Sequence, residues 1–146
     1  MHKTSLIFGV AAAALSFAVS TASFADDAEI KAKAEDYTKT QVAKWVADAD
    51  VVAALAAANS SNAAYDQGKI GALDKQWRAE GGAAAQPLND QIMGSSASTK
   101  AKSWCEGAGG VVTEVIIMDN KGLNVGICDA TTDYWHGDAP QYQNTL

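Results

Sequence analysis

Positive charge is scarce in this chain. Eleven Lys and Arg residues stand against 17 Asp and Glu, for a formal net charge of −6. Lys3 is the single charged residue before Asp26, so the remainder carries 10 basic and 17 acidic residues, net −7. That balance argues against nucleic acid or an anionic lipid surface as partner. Proline is nearly absent, with two residues, Pro87 and Pro140. Long apolar runs are confined to the N-terminus, and no later stretch approaches the roughly 20 residues needed to span a bilayer. No serine elbow, zinc-binding helix or phosphate loop occurs, which removes the common catalytic motifs and predicts a protein that is not an enzyme. The glycines of Gly107-Ala108-Gly109-Gly110 lack the spacing of a dinucleotide fingerprint, and no strand precedes them. No cofactor is implied.

Cysteine is limited to Cys105 and Cys128. Two thiolates and His136 make an incomplete metal set with unusual spacing, so no metal site is expected. The readings that remain are a Cys105–Cys128 disulfide and a pair of buried thiols. The N-terminus bears on that choice. Met1-His2-Lys3 is followed by an apolar, small-residue stretch from Leu6 to Val19 and by Ser23-Phe24-Ala25. This is the pattern of a secretory signal peptide cleaved near Ala25. It predicts a periplasmic or secreted protein of residues 26–146, in a compartment that permits the disulfide.

The stretch Val111 to Asp138 has the most to say. Val111–Met118 and Leu123–Cys128 are rich in Val and Ile, which suit a pleated sheet. The turn Asp119-Asn120-Lys121-Gly122 between them predicts a β-hairpin with Gly122 at positive φ. The following ten residues, Asp129 to Asp138, carry acids, hydroxyls and rings together. That composition suits a binding loop. The competing reading is a structural corner whose acids cap backbone N–H groups.

Upstream the chain reads as helical. Ala, Lys, Glu and Gln dominate from Asp26 to about Asn59. A single helix of that length would reach about 50 Å, and Asp48 or Asp50 is placed to cap a second helix after a break. Val42, Trp45, Val46, Ala49, Val52, Ala53 and Leu55 predict one buried stripe. Ala63–Glu80 reads as a further helix, with Ile70, Leu73 and Trp77 on one face and Gly81-Gly82 as its stop. Trp77 is a core anchor on this reading, and Arg78 points to a pocket or to solvent. Residues 81–110 read as a linker containing a short helix at Pro87–Met93 and a helical turn at Lys100–Glu106. Pro140 is expected to interrupt any later helix. Two strands alone are marginal in water and leave open edges, so a third strand is expected from the final segment, from another chain or from residues beyond Leu146.

Ile70–Arg78, Glu114–Asp119, Gly122–Val125 and especially Thr131-Thr132-Asp133-Tyr134-Trp135-His136-Gly137-Asp138 resemble the periplasmic PDC-type sensor domains of the PAS-like Cache superfamily. The resemblance implies an α+β fold, with a long N-terminal helix and further helices on an antiparallel sheet. It also implies strands beyond Leu146, so that the sheet is incomplete in this chain. In domain terms, residues 26–80 form a helical part, 81–110 a linker and 111–146 the hairpin and site loop. The function implied is non-catalytic sensing of a small organic ligand: an amino acid, an amine or a small carboxylate. Trp77, Tyr134 and Trp135 would wall the pocket, with Thr131 beside them. Asp133 and Asp138 would meet an ammonium or hydroxyl group, and Arg78 a ligand carboxylate in bidentate fashion. A second copy or a membrane receptor would be the macromolecular partner. The alternative is a secreted interaction module that pairs through an open sheet edge without any small ligand.

Overall fold

The computed structural model describes residues 26–144; the expected signal peptide lies outside the described residues. The architecture is α+β. Helix α1 (Asp27–Tyr37) runs through a π-helical turn (Thr38–Val42) into α2 (Ala43–Val46). Helices α3 (Ala49–Ser61), α4 (Gln67–Glu80), α5 (Pro87–Met93) and α6 (Ser96–Gly107) follow. Then come strands β1 (Ile116–Met118) and β2 (Asn124–Ile127), and a last helical turn α7 (Pro140–Gln143). Among the described residues no helix is long and apolar enough to cross a membrane.

The break expected at Asp48 is present. Asp48 has extended backbone, and its carboxylate accepts from the N–H groups of Asp50 (3.0 Å) and Val51 (3.4 Å), so it caps α3. Lys100 of α6 bonds the same carboxylate at 2.9 Å, and this hydrogen bond holds the Asp48 pKa below the usual range and raises that of Lys100. The buried stripe expected along this region is not formed. Val46 is 65% and Val52 51% exposed, and Val51 is the buried residue of α3. The reason is geometric: α1 buries no residue at all, and α3 presents a single side to α6. The π turn has a consequence of its own. In a regular helix residues eight apart differ by about 80° in direction. The wider turn takes up that difference, so the rings of Tyr37 and Trp45 meet edge to face at 5.9 Å. Trp45 then stacks on Trp104 of α6 at 5.0 Å.

Other boundaries moved. Helix α4 starts at Gln67 rather than near Ala63, because the Asp66 carboxylate caps it by accepting from Lys69 N–H at 2.8 Å. Ser95 does the same for α6, which is therefore a full helix from Ser96 rather than the single turn expected at Lys100. Pro140 opens a helical turn instead of interrupting one, since its missing N–H is no loss at a first helical position. Helix α5 begins at Pro87 as expected, but its cap comes from afar. Glu80, 7% exposed at the end of α4, accepts from the N–H groups of Leu88 (2.8 Å) and Asn89 (2.9 Å). Asn89 in turn donates to the Trp77 carbonyl at 3.2 Å, so the end of α4 and the start of α5 are bonded to each other.

The hairpin forms with shorter strands than expected. Ile116 faces Ile127 and Ile117 faces Gly126, with an irregularity before Met118. Gly122 has φ +81°, as the turn required. Asp119 closes the turn: its carboxylate accepts from Lys121 and Leu123 N–H, both at 2.9 Å, and from the Asn62 amide at 2.8 Å. Strand β2 is buried throughout. Helix α6 crosses it so closely that a Cβ on Gly126 would lie 2.6 Å from that of Ala97.

Helix α6 also covers part of the second edge of β2. Ser98 Oγ accepts from Ile127 N–H at 3.0 Å, and Ser95 Oγ donates to the Val125 carbonyl at 3.2 Å. Further along, residues 134–136 take over as a rudimentary third strand. Leu123 bridges Trp135, Asn124 N–H donates to Tyr134 O at 3.0 Å, and His136 N–H donates to Gly122 O at 2.8 Å. The core gathers where these pieces meet: Ile70 and Trp77 of α4, Leu88 and Ile92 of α5, Leu123, Ile127 and Tyr134. The Cys105–Cys128 disulfide is present, joining α6 to the end of β2 across a Cα–Cα distance of 6.4 Å.

Candidate functional site

Helix α4 and the segment 131–139 meet along a cleft of about 380 Å³. Asp74 and Arg78, one turn apart on α4, form one wall. Asp133, Trp135, His136 and Asp138 form the other. The volume is within the range of small-molecule sites. Two anchors hold the loop wall against α4. The Asp74 carboxylate, nearly buried, accepts from the N–H groups of Tyr134 at 2.9 Å and Trp135 at 3.2 Å. The Trp77 indole N–H donates to the Thr131 carbonyl at 2.8 Å.

A network of short bonds sets the shape of the loop itself. Thr131 Oγ1 donates to the Asp133 carbonyl at 2.7 Å and accepts from the Asn124 amide at 2.9 Å. The same amide donates to the Asp133 carbonyl at 3.1 Å. The Trp135 indole N–H donates to the Lys121 carbonyl at 2.7 Å, which fixes the ring beside the hairpin turn. His136 lines the cleft, while its Nε2 is buried with no hydrogen-bond partner among the described residues.

No family model, curated protein or solved structure matches this chain.

Of the seven residues singled out from the sequence, Arg78, Asp133, Trp135 and Asp138 line the cleft together. Trp77, Tyr134 and Thr131 are not among its lining residues. Trp77 is 1% exposed and stacks on Tyr134, 6% exposed, with ring centroids 5.6 Å apart. These two rings are core, and the cleft is walled by one indole rather than three rings. Burial raises the Tyr134 hydroxyl to about 12, with the Asp119 charge adding to the effect, so the phenol stays neutral. Asp133 is not a helix or turn cap. Its carboxylate takes one bond from Arg78 Nη1 at 2.8 Å and one from the Thr132 hydroxyl at 2.8 Å.

Sequence reasoning passed over Asp74, and a signal for it existed. It stands four residues before Arg78, the spacing at which carboxylate and guanidinium meet on a helix, and it pairs with Arg78 Nη2. Gly71, His136 and Ala139 complete the lining. Among the described residues no group of three or more potential metal ligands comes together.

Proposed function

We propose that this protein is a small-molecule-binding sensor domain that works outside the cytoplasm and catalyses no reaction. The observation that carries the reading is the cleft between α4 and residues 131–139. It unites polar and aromatic groups from distant parts of the chain on two rigidly bonded walls. The loop is held by Asp74 and by Trp77, so its charged groups are positioned before any ligand arrives, which lowers the ordering cost of binding. The disulfide and the signal-peptide-like N-terminus support an oxidising compartment. The PDC-like stretches, Ile70–Arg78 and Thr131–Asp138, are the two that form the cleft walls. That coincidence supports a PAS-like ancestry for the site.

A thermal-shift screen of amines, amino acids and small carboxylates tests the proposal. A ligand present at 100 times its Kd adds about 2.7 kcal/mol to stability, a rise of several degrees in Tm for a domain of this size. Absence of any shift across all three classes would sink it.

One observation favours the interaction-module reading as the second choice. Cys128 N–H donates to the Val115 carbonyl at 3.1 Å, so Val115 and Ile117 face β2 and the backbone of Ile116 faces outward. Strand β1 is an edge of the two-stranded sheet, and beside it lies an apolar groove lined by Trp45, Leu55, Trp104, Ile116 and Met118 among others. Light scattering over a concentration series decides: association that rises with concentration, in a protein deaf to the ligand screen, would favour this second reading.

A further inference from the structure

The sequence expectation gave Arg78 to a ligand carboxylate; in the structure the guanidinium bonds two carboxylates of the protein itself. Arg78 is the only arginine in the chain and, among the described residues, the only cation that lines the cleft. Its Nη1 already donates to Asp133 at 2.8 Å, and its Nη2 is bonded to Asp74. A guanidinium has five N–H donors and recognises a carboxylate by presenting two of them in parallel; here one on each terminal nitrogen already serves a carboxylate of the protein, and those two carboxylates offset its charge. An incoming anion would also approach Asp74, Asp133 and Asp138 together.

The remaining charge has the opposite preference. Three carboxylates and one guanidinium line the cleft, a formal surplus of two negative charges. Asp74 and Asp133 spend their oxygens on Arg78, on Thr132 Oγ1 and on the backbone of residues 134 and 135. Asp138 is exposed and makes no hydrogen bond or ion pair among the described residues. It is therefore the acceptor left for a guest. Trp135, which lines the cleft with it and is held by its bond to Lys121 O, supplies an aromatic surface for the apolar body of such a guest.

Resting on the small-molecule reading above, we infer that the cleft selects organic cations, a primary ammonium group docking at Asp138 with its apolar body against Trp135. Arg78 on this account is a positioning residue. It ties Asp133 to Asp74 and does not touch the ligand's charged end.

Calorimetric titration of the full chain at low salt with n-butylammonium, n-butyrate and leucine tests the inference. We expect butylammonium to bind at least tenfold tighter than butyrate, with leucine between them, and the butylammonium affinity to fall as NaCl is raised. Asp138→Asn should weaken butylammonium about tenfold without changing the melting temperature, because the carboxylate has no partner to lose. Asp133→Asn, which leaves Arg78 with one carboxylate fewer, should shift the preference toward butyrate. Butyrate binding as tightly as butylammonium would overturn the inference and leave the small-molecule reading intact. So would an Asp138→Asn protein with unchanged ammonium affinity. If neither these probes nor the wider panel binds, the small-molecule reading itself falls and the inference with it.

Discussion

Glu80 shows how much one side chain does in this protein. It is a carboxylate at the end of one helix acting as the cap of the next. Burial pushes its carboxyl up, but the N–H groups of Asn89 and Leu88 and the amides of Gln76 and Asn89 together hold it below the ordinary glutamate value of 4.5. A carboxyl whose folded pKa is depressed adds stability above its unfolded pKa and loses it as pH falls through the folded one. The protein should therefore lose stability as pH drops below about 4.5, and Glu80→Gln should cost stability at pH 7 while flattening that acid limb. Urea titrations of both proteins between pH 7 and pH 3 check this; parallel curves would show that Glu80 does not drive the acid response. The composition of the chain announced none of it. Asp26, Asp48, Asp66 and Ser95 cap the helices that follow them immediately, and local sequence signals of that kind are readable. Glu80 reaches α5 across an intervening loop, and no local pattern marks such a partner.

At the scale of elements, the hairpin turn joins sheet and site. Gly122 is needed there twice over. Its φ of +81° is strained for any residue with a β-carbon, and a Cβ would stand 2.7 Å from the Gly137 nitrogen and 2.8 Å from its Cα. Its carbonyl also anchors the site loop through His136 N–H. Gly122→Val should lower stability by about 2 kcal/mol or more, given the usual cost of such backbone strain. It should also loosen the loop that carries Asp133 and Asp138. The urea midpoint reads the first effect and ligand titration the second; an unchanged midpoint would show that the turn tolerates a side chain. The need for glycine was legible in the turn sequence. Its close approach to Gly137 was not, because that contact belongs to a segment folding back from fifteen residues away.

For the whole molecule, α6 is the element on which distant links converge: the Lys100–Asp48 pair joins it to the start of α3, and the disulfide joins it to the end of β2. The disulfide closes a loop with a sequence separation of 23. On the chain-entropy account that is worth about 3 kcal/mol, a large share of the stability of a domain of this size. The double variant Cys105→Ala, Cys128→Ala should unfold at a correspondingly lower urea concentration. Equal midpoints for oxidised wild type and double variant would show that Ser95, Ser98 and the Gly126–Ala97 contact hold α6 on β2 without it.

The sequence by itself determined the local features: the helical segments and most of their caps, the hairpin with its glycine turn, and the acidic, aromatic character of residues 129–138. These depend on backbone preferences and near neighbours, which a short window contains. It also contained both halves of the candidate site, at Arg78 and at Asp133–Asp138. What only the tertiary structure decided is how those halves are used. Trp77 and Tyr134 went to the core because α4 packs on α5 and turns that face into the cluster of Leu88, Ile92, Leu123 and Ile127. Arg78 was bonded from both sides because the loop brings Asp133 back to a helix that already holds Asp74. The missing strand at one edge of β2 was replaced by two serine hydroxyls and three residues of the loop. Hydrogen-bond partners drawn from positions tens of residues apart leave no periodic trace in a chain, and on those partners the charge preference of the cleft depends.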